Sequence, residues 1–77
     1  MKVTLESTTK IVQLVVNGAT VPARIWEGTT ETGIRCHAFI TRIAVHEDDD
    51  PSQFETELKQ QRPPSIEVAA IPLRLIL

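Results

Sequence analysis

The chain has 77 residues and carries eight Lys/Arg against ten Asp/Glu, a net charge of −2. That length leaves room for one small domain, 1–77, which hides only about 60% of the surface its unfolded chain exposes and has a stability of about 5 kcal/mol or less. Cys36 is the only cysteine, which excludes an internal disulfide and fits a reducing, cytoplasmic setting.

Lys2 to Glu6 alternates apolar and polar residues. This is a strand pattern, without the charged start and apolar core of a signal peptide. Ser7-Thr8-Thr9 breaks it, and Ile11 to Val16 follows as a β-branched run that suits a strand covered on both faces. Asn17-Gly18 predicts a two-residue hairpin turn, since both residues accept positive φ. The returning strand, Ala19 to Trp26, sets Val21, Ala23 and Ile25 against Pro22, Arg24 and Trp26. Pro22 lacks a backbone N–H, which predicts an edge or a bulge.

Residues 27–33 form a polar connection with Gly28 and Gly33 near its ends. From Ile34 to His46 the pattern predicts one long strand. Ile34, Cys36, Ala38 and Ile40 share one face, and Arg35, His37, Phe39 and Thr41 the other. The apolar phase shifts near Thr41-Arg42, which predicts a bulge or sharp bend.

A helix is predicted over about 51–61, with Asp50 as N-cap, Pro51 at its first position and Gln53 placed to complete a capping box. Phe54 and Leu58 form a narrow apolar stripe, and Glu55 and Lys59 an i,i+4 ion pair. Arg62-Pro63-Pro64 ends the helix. So short a helix has to dock on the sheet to be stable. Ile66 to Leu77 then reads as a last strand, with Ile71, Leu73, Leu75 and Leu77 on one face. It is either paired into the sheet or covered by a partner. The fold class expected is mostly β with one short helix: a strongly bent antiparallel sheet of about five strands, rolled toward a small barrel.

Charge is unevenly spread. Residues 1–46 hold Lys2, Lys10, Arg24, Arg35 and Arg42 against Glu6, Glu27 and Glu31, whereas residues 47–59 hold six acidic residues against Lys59. The acidic run Glu47-Asp48-Asp49-Asp50 lacks the glycine and distal glutamate of a calcium loop. It reads as a solvated cap on the helix N-terminus. Cys36, His37 and His46 lack metal-site spacing, so neither metal nor cofactor is expected. Cys36 and His37 are strand neighbours on opposite faces and form no nucleophile pair, leaving Cys36 as a small core residue. No nucleophile elbow or phosphate loop is present, and an enzyme is not expected. No apolar run approaches the ~18 residues of a membrane span.

The residues left for contact are Trp26, Arg24, Arg42, His37, Asp48, Asp49, Leu75 and Leu77. Trp26 either packs under the helix on Phe54 or Leu58, or stands as an interface anchor. The preferred reading is a non-enzymatic module that binds a protein and forms a homodimer, because a core this small gains from assembly. The alternatives are a small barrel binding single-stranded nucleic acid or a nucleotide through its arginines and aromatics, and a structural component.

The stretches Val-Pro-Ala-Arg-Ile-Trp-Glu-Gly-Thr-Thr-Glu-Thr-Gly (21–33), Phe-Ile-Thr-Arg-Ile-Ala-Val (39–45) and Ala-Ala-Ile-Pro-Leu-Arg-Leu-Ile-Leu (69–77) resemble a group of small uncharacterised proteins encoded by bacteriophages and by prophages of proteobacteria. The resemblance implies a phage accessory protein in the host cytoplasm, acting by binding a host or phage macromolecule and in some cases countering a host defence. It carries over no site residue.

Overall fold

The computed structural model describes residues 1–77. The chain is mostly β. Four strands form a curled half-barrel sheet in the order β3-β2-β1-β4, comprising β1 (Val3–Val16), β2 (Ala19–Thr30), β3 (Arg35–Ile40) and β4 (Arg74–Ile76). Two short helices, α1 (Pro51–Leu58) and α2 (Ile66–Ala69), lie between β3 and β4. No helix is long and apolar enough to cross a membrane.

The hairpin at Asn17-Gly18 forms as expected, with φ of 50° and 80° and with Val16 opposite Ala19. β1 and β2 run longer than their sequence patterns. Ser7-Thr8-Thr9 does not end β1 but lies inside it as an irregularity. Between Ser7 and Ile11 β1 advances four residues while β2 goes from Trp26 to Arg24, so β1 carries two extra residues. Their polar groups are satisfied internally. Thr8 is fully buried; its hydroxyl donates to the Ile25 carbonyl at 2.6 Å, and Arg24 Nη1 donates to the Thr8 carbonyl at 2.9 Å.

Gly28 is a strand residue of β2 and not part of a connection. A Cβ there would collide with the Thr4 carbonyl oxygen of β1, so only glycine allows the two backbones this approach. The turn to β3 comes later, at residues 31–34, where Gly33 has φ 88° and its N–H donates to the Thr30 carbonyl at 3.0 Å.

The expected long strand from Ile34 to His46 is cut to Arg35–Ile40, and Thr41 is a bend. Pro22 supplies the reason. Ile40 faces Arg24 on β2, so the next such pair would set Arg42 against a residue with no N–H to offer.

The last segment differs most from expectation. Residues 66–69 are helix, not strand, and β4 is three residues long and pairs parallel with β1, making the sheet mixed and not wholly antiparallel. Ser65 caps α2 by accepting from the Val68 N–H at 3.3 Å. Leu75 faces inward.

The core is one face of the sheet. Val12, Leu14, Ala23 and Ile25 are buried beneath Val68 of α2, with Ile71 and Leu75 packed against them. Ile11 and Gln13, on the face away from Val12 and Leu14, stay exposed, so β1 is covered on one face and not on both. Cys36 is only half-buried and lies on the opposite face, outside the core.

A compact monomer of 8.6 kDa exposes roughly 4,700 Å², whereas this chain exposes 5978 Å². Its radius of gyration is 13.8 Å, against roughly 11.5 Å for a compact domain of this length. Burial is thin because α1 contributes no buried residue at all.

Candidate functional site

Strand alternation places Arg24 and Trp26 on the face of β2 opposite Ala23 and Ile25. Arg24 stands between Ile11 of β1 and Ile40 of β3, and Trp26 between Ser7 and Ala38. The two small neighbours leave room for the indole. α1 lies over this face without filling the space beneath it, and a cleft of about 550 Å³ remains. Its apolar lining includes Ile11, Trp26, Ile40, Ile43 and Leu58, and its charged lining Arg24, Arg42, Lys59 and Glu55.

The cations in the cleft differ in availability. Arg24 is engaged by the Thr8 carbonyl and braces the irregularity in β1. Arg42 and Lys59 have neither ion-pair nor hydrogen-bond partners on their side chains, although both line the cleft. The expected Glu55–Lys59 pair is absent, because α1 stops at Leu58 and Lys59 is its C-cap. The Asp50 cap is present, accepting from the Ser52 N–H at 2.9 Å, the Ser52 hydroxyl at 2.7 Å and the Gln53 N–H at 3.3 Å. Those bonds hold its carboxyl below the ordinary aspartate value. Gln53 returns no bond, so the capping box is half made.

Three of the sequence-predicted contact residues therefore meet: Trp26, Arg24 and Arg42 share the cleft. The half-buried Trp26 lies beneath α1 beside Leu58, while Phe54 is not part of the lining. The other predicted residues are elsewhere. His37 is on the opposite face, edge-on to Phe39 with ring centroids 5.4 Å apart. Asp48 and Asp49 are exposed in the turn before α1. Leu75 is half-buried and packs against the core. Leu77 is 75% exposed, beside Ile76 at 81% and Leu73 at 66%. These three apolar residues run along and flank β4, an outermost strand open on its far side.

Lys59 was missed as a cleft residue because helix periodicity pairs it with Glu55. Arg62 was also missed, and it organises a second cluster. Glu6 and Glu27 face each other across β1 and β2, and Arg62 lies against both, Nη1 donating to Glu27 Oε1 at 2.7 Å and Nε to Glu6 Oε2 at 3.2 Å. The Ser65 N–H and hydroxyl both donate to Glu27 at 2.7 Å. Burial pushes the Glu27 carboxyl up, but the Ser65 and Arg62 bonds together outweigh it and bring the carboxyl below its ordinary value. The carboxylates in turn push the Arg62 guanidinium up, the Glu27 bond being the largest cause. The Arg62 main chain continues this clasp, its N–H donating to the Ser7 carbonyl and its carbonyl accepting from the Thr9 N–H.

No family model, curated protein or solved structure matches the chain, so function rests on the site geometry alone.

Proposed function

We propose that the protein is a non-enzymatic, phage-encoded accessory module that acts in the bacterial cytoplasm, forms a homodimer and binds a host or phage protein. The observation that carries this reading is the excess surface. About 1,300 Å² more is exposed than a compact monomer of this mass needs, and a standard interface takes roughly 600–1,000 Å² from each partner. The open edge of β4 is the favoured dimer contact, because Leu73, Ile76 and Leu77 stand exposed there. The opposite edge, β3, carries Arg35 and His37, charged and polar residues that discourage strand pairing.

Sedimentation across a concentration series tests the proposal. A dimer is expected at micromolar concentration, and Ile76→Glu should convert it to monomer while leaving the β-sheet circular dichroism in place. A wild-type monomer throughout that range would overturn the dimer. Cross-linking of the wild type, but not of Ile76→Glu, to one defined host or phage protein is expected on partner binding.

A further inference from the structure

The cleft under α1 holds groups that neither the core nor the proposed dimer edge uses. Its lining includes the apolar Ile11, Ile40, Ile43 and Leu58, its one aromatic is the half-buried Trp26, and Arg42 and Lys59 bring positive charge that no ion pair in the chain neutralises. A chain of net charge −2 thus concentrates three cations against one carboxylate around a single opening. A volume of about 550 Å³ lies within the usual range for small-molecule sites.

The geometry points to this cleft as a binding site for a mononucleotide-sized phosphate ester, with its planar ring against Trp26 and its phosphate between Arg42 and Lys59. Each part has a physical reason. A planar heterocycle gains by stacking on an aromatic side chain and by displacing water from Ile11, Ile40, Ile43 and Leu58. A phosphate is a dianion with three acceptor oxygens, which suits one guanidinium fork and one ammonium acting together. An uncharged ring would leave both cations unmatched, and inorganic phosphate would leave the apolar side chains of the lining wet. Glu55 disfavours a second phosphate at the same mouth, which limits the charge of the ligand.

Trp26 is the only tryptophan, and the chain has no tyrosine, so the fluorescence comes from this one cleft-lining side chain. Titration with each of the nucleoside monophosphates is the test. Saturable quenching by at least one of them, with a Kd below about 1 mM, is expected. The matching uncharged nucleoside and inorganic phosphate should each bind at least about tenfold more weakly. Arg42→Glu together with Lys59→Glu should abolish the quenching while leaving circular dichroism unchanged, since neither side chain makes a bond the fold needs. Fluorescence indifferent to every monophosphate at millimolar concentration would overturn the proposal, as would equal binding by the double variant. Affinity that climbs with each added nucleotide would overturn it in favour of a single strand spanning the cleft. The proposal is independent of the dimer, because Ile76→Glu leaves every cleft residue in place.

Discussion

Glu6 and Glu27 face each other across β1 and β2, a like-charged pair that would oppose strand pairing without Arg62 beside both. Replacing Glu27 with Ala removes bonds to Arg62 and Ser65 at a side chain only 12% exposed. The expected loss is about 2 kcal/mol, below the 3–5 kcal/mol typical of breaking a buried pair, because Arg62 keeps Glu6 and partial solvent access. The folded-state value of Glu27 is lowered, so its contribution is complete above the ordinary glutamate range and is lost as pH falls through the lowered value. Urea midpoints measured against pH should therefore fall less steeply on the acid side in Glu27→Gln than in wild type; parallel curves would refute the linkage. At Gly28 the prediction is steric. Gly28→Ala sets a methyl group against the Thr4 backbone, and a loss of about 3 kcal/mol is expected in chemical denaturation. A change under about 1 kcal/mol would mean that the two strands separate easily there.

At the scale of elements, α1 is held by its own cap more than by the sheet. With no buried residue and an unfilled cleft beneath it, it should open far more often than β1 and β2. Asp50→Ala removes the acceptor for two backbone N–H groups, so amide exchange should speed up in α1 from Ser52 onward and stay unchanged in Val12–Val16. Equal acceleration in both would show that helix and sheet open together. The elements legible in the sequence were those fixed by local chemistry: the Asn17-Gly18 hairpin, the Asp50 cap, and the phase of β2 that sends Ile25 inward and Trp26 outward. Those set by distant partners were not legible. Ile66-Glu67-Val68-Ala69 is short and apolar enough to read as strand, and its helical state depends on Ser65, whose hydroxyl both caps α2 and bonds Glu27. The phase shift near Thr41-Arg42 marked the bend, but the length of β3 was hidden, because Ile43 and Val45 resume an apolar alternation that reads as more strand, past the point where Pro22 can support pairing. The candidate site was half legible for the same reason. Alternation put Arg24 and Trp26 on one face, but only the fold brings Arg42 and Lys59 to it.

For the whole molecule, the thin core and the two proposed contacts are connected. Only five apolar residues are buried in the core, so the chain has little stability in reserve and much surface to share. Mass action then makes measured stability depend on what is bound. The parallel pairing of β4 has a kinetic side as well. β1, β2 and β3 are consecutive and antiparallel, so each pairing closes only a short loop, whereas Gln13 meets Arg74 only after nearly the whole chain has been gathered in. Loop-closure entropy sets the order of assembly: the three-strand meander comes first, and Leu75 reaches Leu14 last. Until that last step the Leu14 end of the core face and the outer edge of β1 are both bare. The interval between hairpin formation and β4 docking is therefore when this chain is most exposed to pairing with the wrong strand.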